Sequence, residues 1–281
     1  MTSPVQADRV TLDRVAHIVR EAAAAHIQPA FASCGTTSHR KQCGGLVTEV
    51  DHAMQAAIRA DLAEAFPGCG FLGEEMESAE HRQALSEAEG GPGLWCLDPL
   101  DGTSNFAAGI PVFGVSVALL QGGESVLGLV LDPVRDELFT AIRGQGAELN
   151  GEPIQVRGKD RLERSVGVID FKRLPREVAR RLAEDQPFHS QRNFVSSVLE
   201  WCWLASGRVD FYLHGGQNLW DFAAGSLIAA EAGAEVATMA GEPLFAGDIL
   251  RRSVLAVVRP ALREGLAPYL APAAGGTAGP R

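Results

Sequence analysis

No apolar run in this chain approaches the roughly 20 consecutive residues that cross a bilayer; stretches such as 115–120 are cut short by glycine or charge. The first ten residues reach Asp8 and Arg9 without an apolar stretch, so no export signal is expected. Cysteine is scarce and odd in number, with Cys34, Cys43, Cys69, Cys96 and Cys202 and no Cys-x-x-Cys pair. That pattern supports neither a disulfide framework nor a zinc ribbon, and reads as reduced thiols in a cytoplasmic protein. Positive charge is also in short supply. A net charge of −10 repels polyanions, so neither nucleic acid nor a membrane is expected as a partner. The basic clusters that exist, Lys172-Arg173 with Arg176 and Arg180-Arg181, read as the solvated face of a helix. Internal repeats and long linkers are absent as well.

What is present suits a globular protein: 281 residues, 46% hydrophobic and 21% charged, enough for a sizeable core. Leu12, Val15, Ala16, Val19 and Ala23 recur at helical spacing, as do Met54, Ile58, Leu62 and Phe66, and Pro67-Gly68 stops the second helix. Short apolar segments at 94–97, 113–120, 126–131 and 137–142, separated by turns such as Gln121-Gly122-Gly123-Glu124 and Asp132-Pro133, predict an antiparallel meander. Beyond Asn150-Gly151, strands and helices alternate. Strands are expected near 166–169, 209–213, 235–238 and 254–258, and helices near 175–183, 197–205 and 261–269, with another opening at Asp221. This predicts an N-terminal α/β half over 1–155, a C-terminal half over 156–270, and a disordered tail over 271–281, rich in alanine, glycine and proline.

Four acidic motifs stand out. Asp98-Pro99-Leu100-Asp101-Gly102-Thr103 follows a predicted strand. It reads either as a plain turn or as a turn that aims two carboxylates and the Leu100 carbonyl at one point, the oxygen set that hard divalent cations prefer. Gly73-Glu74-Glu75 sits where the apolar pair Phe71-Leu72 gives way to a loop, and in isolation is a solvated acidic pair. Thr48-Glu49-Val50-Asp51 resembles a capping box opening the second helix, a role compatible with function. In Trp220-Asp221-Phe222-Ala223-Ala224-Gly225, Asp221 reads as the N-cap of a small-residue helix that could pack closely on a sheet while its carboxylate completes a metal site. An acidic protein can bind phosphate if a metal supplies the positive charge.

Taken in order, these motifs resemble the signature of the inositol monophosphatase family, and the resemblance runs through 44–51, 66–75, 95–106, 110–121, 128–151 and 207–233. It implies an alternating α/β/α/β/α layered fold, and a magnesium-dependent, lithium-sensitive phosphatase that hydrolyses a small phosphate monoester and often dimerises. By the same resemblance, Glu74, Asp98, Asp101, Asp221 and the Leu100 carbonyl would hold two or three magnesium ions, with Asp98 bridging. Thr103 and Glu74 would orient and activate the attacking water, supported by Asp51, and the amides of Gly102 and Thr103 would receive phosphate oxygens. Ser196, Ser197, His214 and Asp221 would line the substrate side.

Two departures bear on the substrate. Val195-Ser196-Ser197 replaces the glycine-threonine-alanine-like stretch of inositol phosphatases, and His214 stands where they carry a glutamate that receives substrate hydroxyls. Inositol 1-phosphate is therefore not expected to be the best substrate, and His214 reads as a substrate contact or as a structural loop histidine. Rival readings are phosphoadenosine-phosphate, fructose-bisphosphate or histidinol-phosphate hydrolysis within the same superfamily. From another class comes an interaction protein for transcription or ribosome-assembly machinery built on the phosphatase fold.

Overall fold

The computed structural model describes residues 4–34, 43–88 and 90–271. The tail at 272–281 and the side chains of Cys34 and Cys43 lie outside the described residues. Among those described, Cys69, Cys96 and Cys202 are free thiols, and no helix is long and apolar enough to cross a membrane.

Helix α1 (Arg9–Ala22) opens at Asp8, whose side chain accepts from the Thr11 amide at 2.9 Å, and its Leu12, Val15 and Val19 face is buried as its spacing predicts. A π-helical turn at Ala23–Ile27 leads into α2 (Gln28–Cys34). Helix α3 (Cys43–Ala65) buries Val50, Met54, Ile58 and Leu62. It begins well before the expected start, so Thr48 and Asp51 lie within the helix and form no capping box at its entrance. There Asp51 and Gln55, one turn apart, lie over the acidic loop that follows the first strand, where Gln55 accepts from the Glu75 amide at 3.1 Å.

The first sheet has the order β1 (Gly70–Gly73), β2 (Leu94–Asp101), β3 (Gly114–Gln121), β4 (Glu124–Asp132), β5 (Glu137–Ile142), β6 (Ala147–Leu149), β7 (Glu152–Ile154). Every neighbouring pair is antiparallel except β1 with β2, so the predicted meander is present with one parallel strand added at its edge. The second sheet is formed by β8 (Val166–Asp170), β9 (Ser190–Arg192), β10 (Phe211–Asn218), β11 (Glu235–Ala237) and β12 (Arg251–Val257) in the order β11-β12-β10-β8-β9, and mixes parallel with antiparallel pairs.

Five further helices and one short one fill the spaces: α4 (Ser78–Ala88), α5 (Thr103–Ala108), α6 (Arg176–Asp185), α7 (Ser197–Ala205), α8 (Leu219–Glu231) and α9 (Pro260–Leu270). Helices α1 and α3 cover the outer face of the first sheet, α7 and α8 lie between the two sheets, and α6 and α9 cover the second. The layers alternate α/β/α/β/α. Helices α7 and α8 are apolar nearly all round because both of their faces meet a sheet. Helix α8 opens at Leu219, with Asn218 as its cap; Asp221 is not the cap but the third residue of a capping box, accepting from the Asn218 amide at 2.8 Å.

Candidate active site

Strand β2 does not end in a free turn at its two aspartates. Its pairing with β3 runs from Leu94 to Asp98, breaks, and resumes at Asp101 opposite Gly114, leaving Pro99-Leu100 as a bulge. Proline lacks the amide that a ladder requires, and a bulge re-aims the side chains on either side of it. Asp98, 1% exposed, accepts from the Leu100 amide at 3.1 Å, and Leu100 itself is fully buried. Asp101 is gripped from the other half of the chain. The Ser196 hydroxyl donates to its Oδ2 at 2.6 Å and the Val198 amide at 3.1 Å.

Across from this bulge, the start of α8 delivers Asp221. Oxygens of Asp98, Asp101 and Asp221 can come within 4.8 Å of one another. Glu74, whose amide extends the β1–β2 pairing by donating to the Leu97 carbonyl at 3.1 Å, lies close enough to Asp98 to share a proton with it. Burial raises all of these acids, and for Glu74, Asp98 and Asp221 neighbouring carboxylates add to it. Asp98 is pushed well up by burial and then by Glu74, Asp101 and Asp221, and Asp221 by burial and then by Asp101, with Arg173 opposing. Burial lifts Glu74 to about 7 and Asp101 to about 6, the latter despite the bonds from Ser196, Val198 and Gly102. Asp51 reaches about 8 through burial and the neighbouring Glu75 and Glu74. Burial opposes full ionisation of this cluster near neutral pH, a cation among its oxygens would favour it, and an all-oxygen, carboxylate-rich donor set fits a hard divalent cation.

The cluster forms the floor of an open cleft of about 280 Å³. Glu74, Asp101, Gly102, Thr103, Ser197, His214 and Asp221 line it; Ser196, fully buried, acts on Asp101 from behind. His214 also lines the cleft, yet both of its ring nitrogens have protein partners. The Gly216 amide donates to Nδ1 at 3.1 Å, which leaves the proton on Nε2, 3.5 Å from Asp170 Oδ2.

Sequence reasoning missed Asp170, Arg173, Asn193, Glu200 and Arg251, which share the lining. Arg173 belongs to the turn before α6 and lines the cleft, whereas Arg180, on α6 itself, is solvated as expected of both and pairs with Glu177 and Glu184. A signal for Glu200 was available: it is the one acid in the apolar run of α7. Burial pushes it to about 8, opposed by the Phe194 amide, which donates to it at 2.7 Å, and by Tyr212.

Comparison with known proteins follows the same lines. The chain is 37% identical over 226 residues to inositol monophosphatase 1 of Solanum lycopersicum, covering 78% of this chain and 80% of that protein. It is 35% identical over 206 residues to the Nus factor SuhB of Pasteurella multocida, with 72% and 74% covered. The crystal structure of the extragenic suppressor protein suhB from Bartonella henselae superposes with a TM-score of 0.73 at 28% identity, covering 93% of this chain and 99% of that one. Since the inositol monophosphatase family model also matches residues 8–273, the chain belongs to the inositol monophosphatase family.

Proposed function

We propose that this chain hydrolyses a small phosphate monoester with magnesium as its metal. The observation that carries this reading is the meeting of Asp98, Asp101 and Asp221, with Glu74 bonded to Asp98, at a cleft that Glu74, Asp101, Asp221 and Thr103 line. When bound, magnesium supplies Lewis acidity, offsetting charge on the phosphoryl group and making water a stronger acid.

The protein's own groups do the rest. Asp98, Asp101 and Asp221, with Glu74 and the Leu100 carbonyl, would hold the metal, two or three ions by family resemblance. Ser196 and the Val198 amide fix the direction of Asp101, and the Asn218 amide fixes that of Asp221. Glu74 and Thr103 orient the attacking water, and Glu74 takes its proton, with Asp51 close enough to influence its charge. The Thr103 amide at the start of α5 receives a phosphate oxygen, whereas the Gly102 amide is already turned to Asp101. A cytoplasmic setting, consistent with the free thiols, and a homodimer complete the reading.

The test is phosphate release from a panel of inositol, sugar and nucleotide phosphates and histidinol phosphate, with magnesium titrated in and then removed by chelation. Hydrolysis that needs magnesium and is slowed by lithium is expected. Release unaffected by chelation rejects the metal, and release from no member rejects the phosphatase reading. A second reading rests on the relatives named Nus factor SuhB: a role through protein contacts within transcription machinery. Capture of the same partners by wild-type and Asp98→Asn protein would support it.

A further inference from the structure

The floor of the cleft is acidic, but its lining also carries two guanidiniums that form no ion pair, although Arg173 lies near enough to Asp221 to favour its charged form. Arg173 and Arg251 both line the cleft and are exposed. Among the described residues neither side chain makes a hydrogen bond or ion pair, although Arg135, Arg143, Arg208, Arg252 and Arg263 are all bound to acids elsewhere. Other exposed arginines, such as Arg14, Arg82 and Arg176, are equally unpaired on the open surface, and what sets these two apart is their place in the lining of the acidic cleft.

The backbone is shaped to bring them there. Strand β10 breaks its register with β12 between His214 and Gln217, and Gly215-Gly216 fill the irregularity. A Cβ on Gly215 would lie 1.9 Å from the Arg173 carbonyl oxygen, so any other residue there would push the Arg173 turn away. A Cβ on Gly216 would lie 3.0 Å from Arg251 Nε and 3.3 Å from Nη2, so the guanidinium rests against bare backbone. His214, beside them, has its acceptor nitrogen taken by the Gly216 amide and its donor nitrogen directed at Asp170. The wall therefore offers two cationic donors beside Asp170, whose carboxylate is already engaged by His214 and by the Lys172 amide. Planar guanidinium forks match phosphate and carboxylate oxygens.

We infer that the leaving group of the substrate carries a second oxyanion, phosphate or carboxylate, bound by Arg173 and Arg251 while the scissile phosphate sits on the acidic floor. This rests on the phosphatase reading above and names its substrate class: small bisphosphates or phosphorylated acids, in preference to neutral polyol monophosphates. The reaction is otherwise unchanged. The water oxygen bonds to phosphorus, the bond from phosphorus to the ester oxygen breaks, a proton ends on that oxygen, and the second anion leaves intact.

Steady-state kinetics at saturating magnesium compare fructose 1,6-bisphosphate with fructose 1-phosphate, and 3-phosphoglycerate with glycerol 3-phosphate. The expected kcat/KM ratio favours the doubly anionic member by about 10-fold or more, the scale of a charge-assisted hydrogen bond. A preference in the first pair alone identifies phosphate, and in the second alone carboxylate. The ratio should fall about 10-fold in Arg251→Gln, the loss of one such bond. It should also fall in Gly216→Ala, whose methyl displaces only the flexible end of Arg251; circular dichroism confirms that both variants are folded. A wild-type ratio at or below one in both pairs, or a ratio that survives both substitutions, overturns the inference. If no member releases phosphate, the phosphatase reading fails separately. Calorimetric binding of fructose 6-phosphate against fructose then decides: phosphate-dependent binding lost in Arg251→Gln supports the arginine wall, and equal binding overturns it.

Discussion

At Asp98 the proposed function and the stability of the fold pull in opposite directions. It is buried among Glu74, Asp101 and Asp221, all acids raised by burial, so without metal its charge is suppressed and its site strained electrostatically. Asp98→Asn keeps the shape and removes the ionisable group. Turnover at saturating magnesium should fall by about 100-fold or more, the scale of losing one preorganised electrostatic contact, while the metal-free melting temperature rises. A folded variant that keeps most of its turnover would remove Asp98 from the metal centre. Ser196 is a different case, because it touches Asp101 and not the cleft. Ser196→Ala should raise the magnesium concentration for half-maximal activity by about 10- to 100-fold, as loss of a group orienting a ligand does. Excess magnesium should restore most of kcat; a kcat loss that magnesium cannot restore would place Ser196 in the chemistry itself. The sequence exposed the acids, because carboxylates at a strand end are conspicuous, but it hid this division between contact and support.

At the scale of elements, the strap at 193–196 ahead of α7 joins the two sides of the site. Asn105 of α5 donates to the Phe194 carbonyl at 2.7 Å and to the Val112 carbonyl at 2.8 Å, the Phe194 amide donates to Glu200, and the Val195 amide donates to Asn193 Oδ1 at 3.0 Å. Held at so many points, Val195 adopts φ 60° although it is β-branched and half exposed. Such a conformation costs about 1 to 3 kcal/mol, and glycine would relieve it while losing about 0.4 to 1 kcal/mol through greater freedom in the unfolded chain. Val195→Gly should therefore raise stability by about 1 kcal/mol, read as a higher urea midpoint with an unchanged slope. A lower midpoint would mean that the contacts of the valine outweigh its strain. Helix α7 itself was legible to the residue, from 197 to 205, because its apolar character is local. The strap was not, since its conformation is imposed by partners up to 89 residues away.

For the whole molecule, the buried acids predict an unusual response to pH. Glu200 and Asp51 are lifted to about 8, Glu74 to about 7 and Asp101 to about 6, each first by burial, so the folded metal-free protein holds protons that the unfolded chain has released. Stability from these groups is complete below their unfolded pKa values near 4 and is lost as pH rises through the folded ones. Without metal, the urea midpoint should fall from pH 5 to pH 8, and the stabilisation added by magnesium should grow over the same window, since the cation binds the ionised form. A metal-free midpoint that rises across this window would contradict the buried, proton-holding cluster. The sequence by itself determined the periodicity of the helices on the outer layer, the meander of the first sheet and the identity of the acidic motifs, because these depend on spacing along the chain. Only the tertiary structure decided that Asp51 lies inside a helix, that Asp98 and Asp101 flank a bulge, that His214 is turned toward Asp170, and that Arg173 and Arg251 share a wall. Each of those depends on chain segments far apart in sequence meeting across two sheets, and on backbone clearances, as at Gly215 and Gly216, that no local pattern encodes.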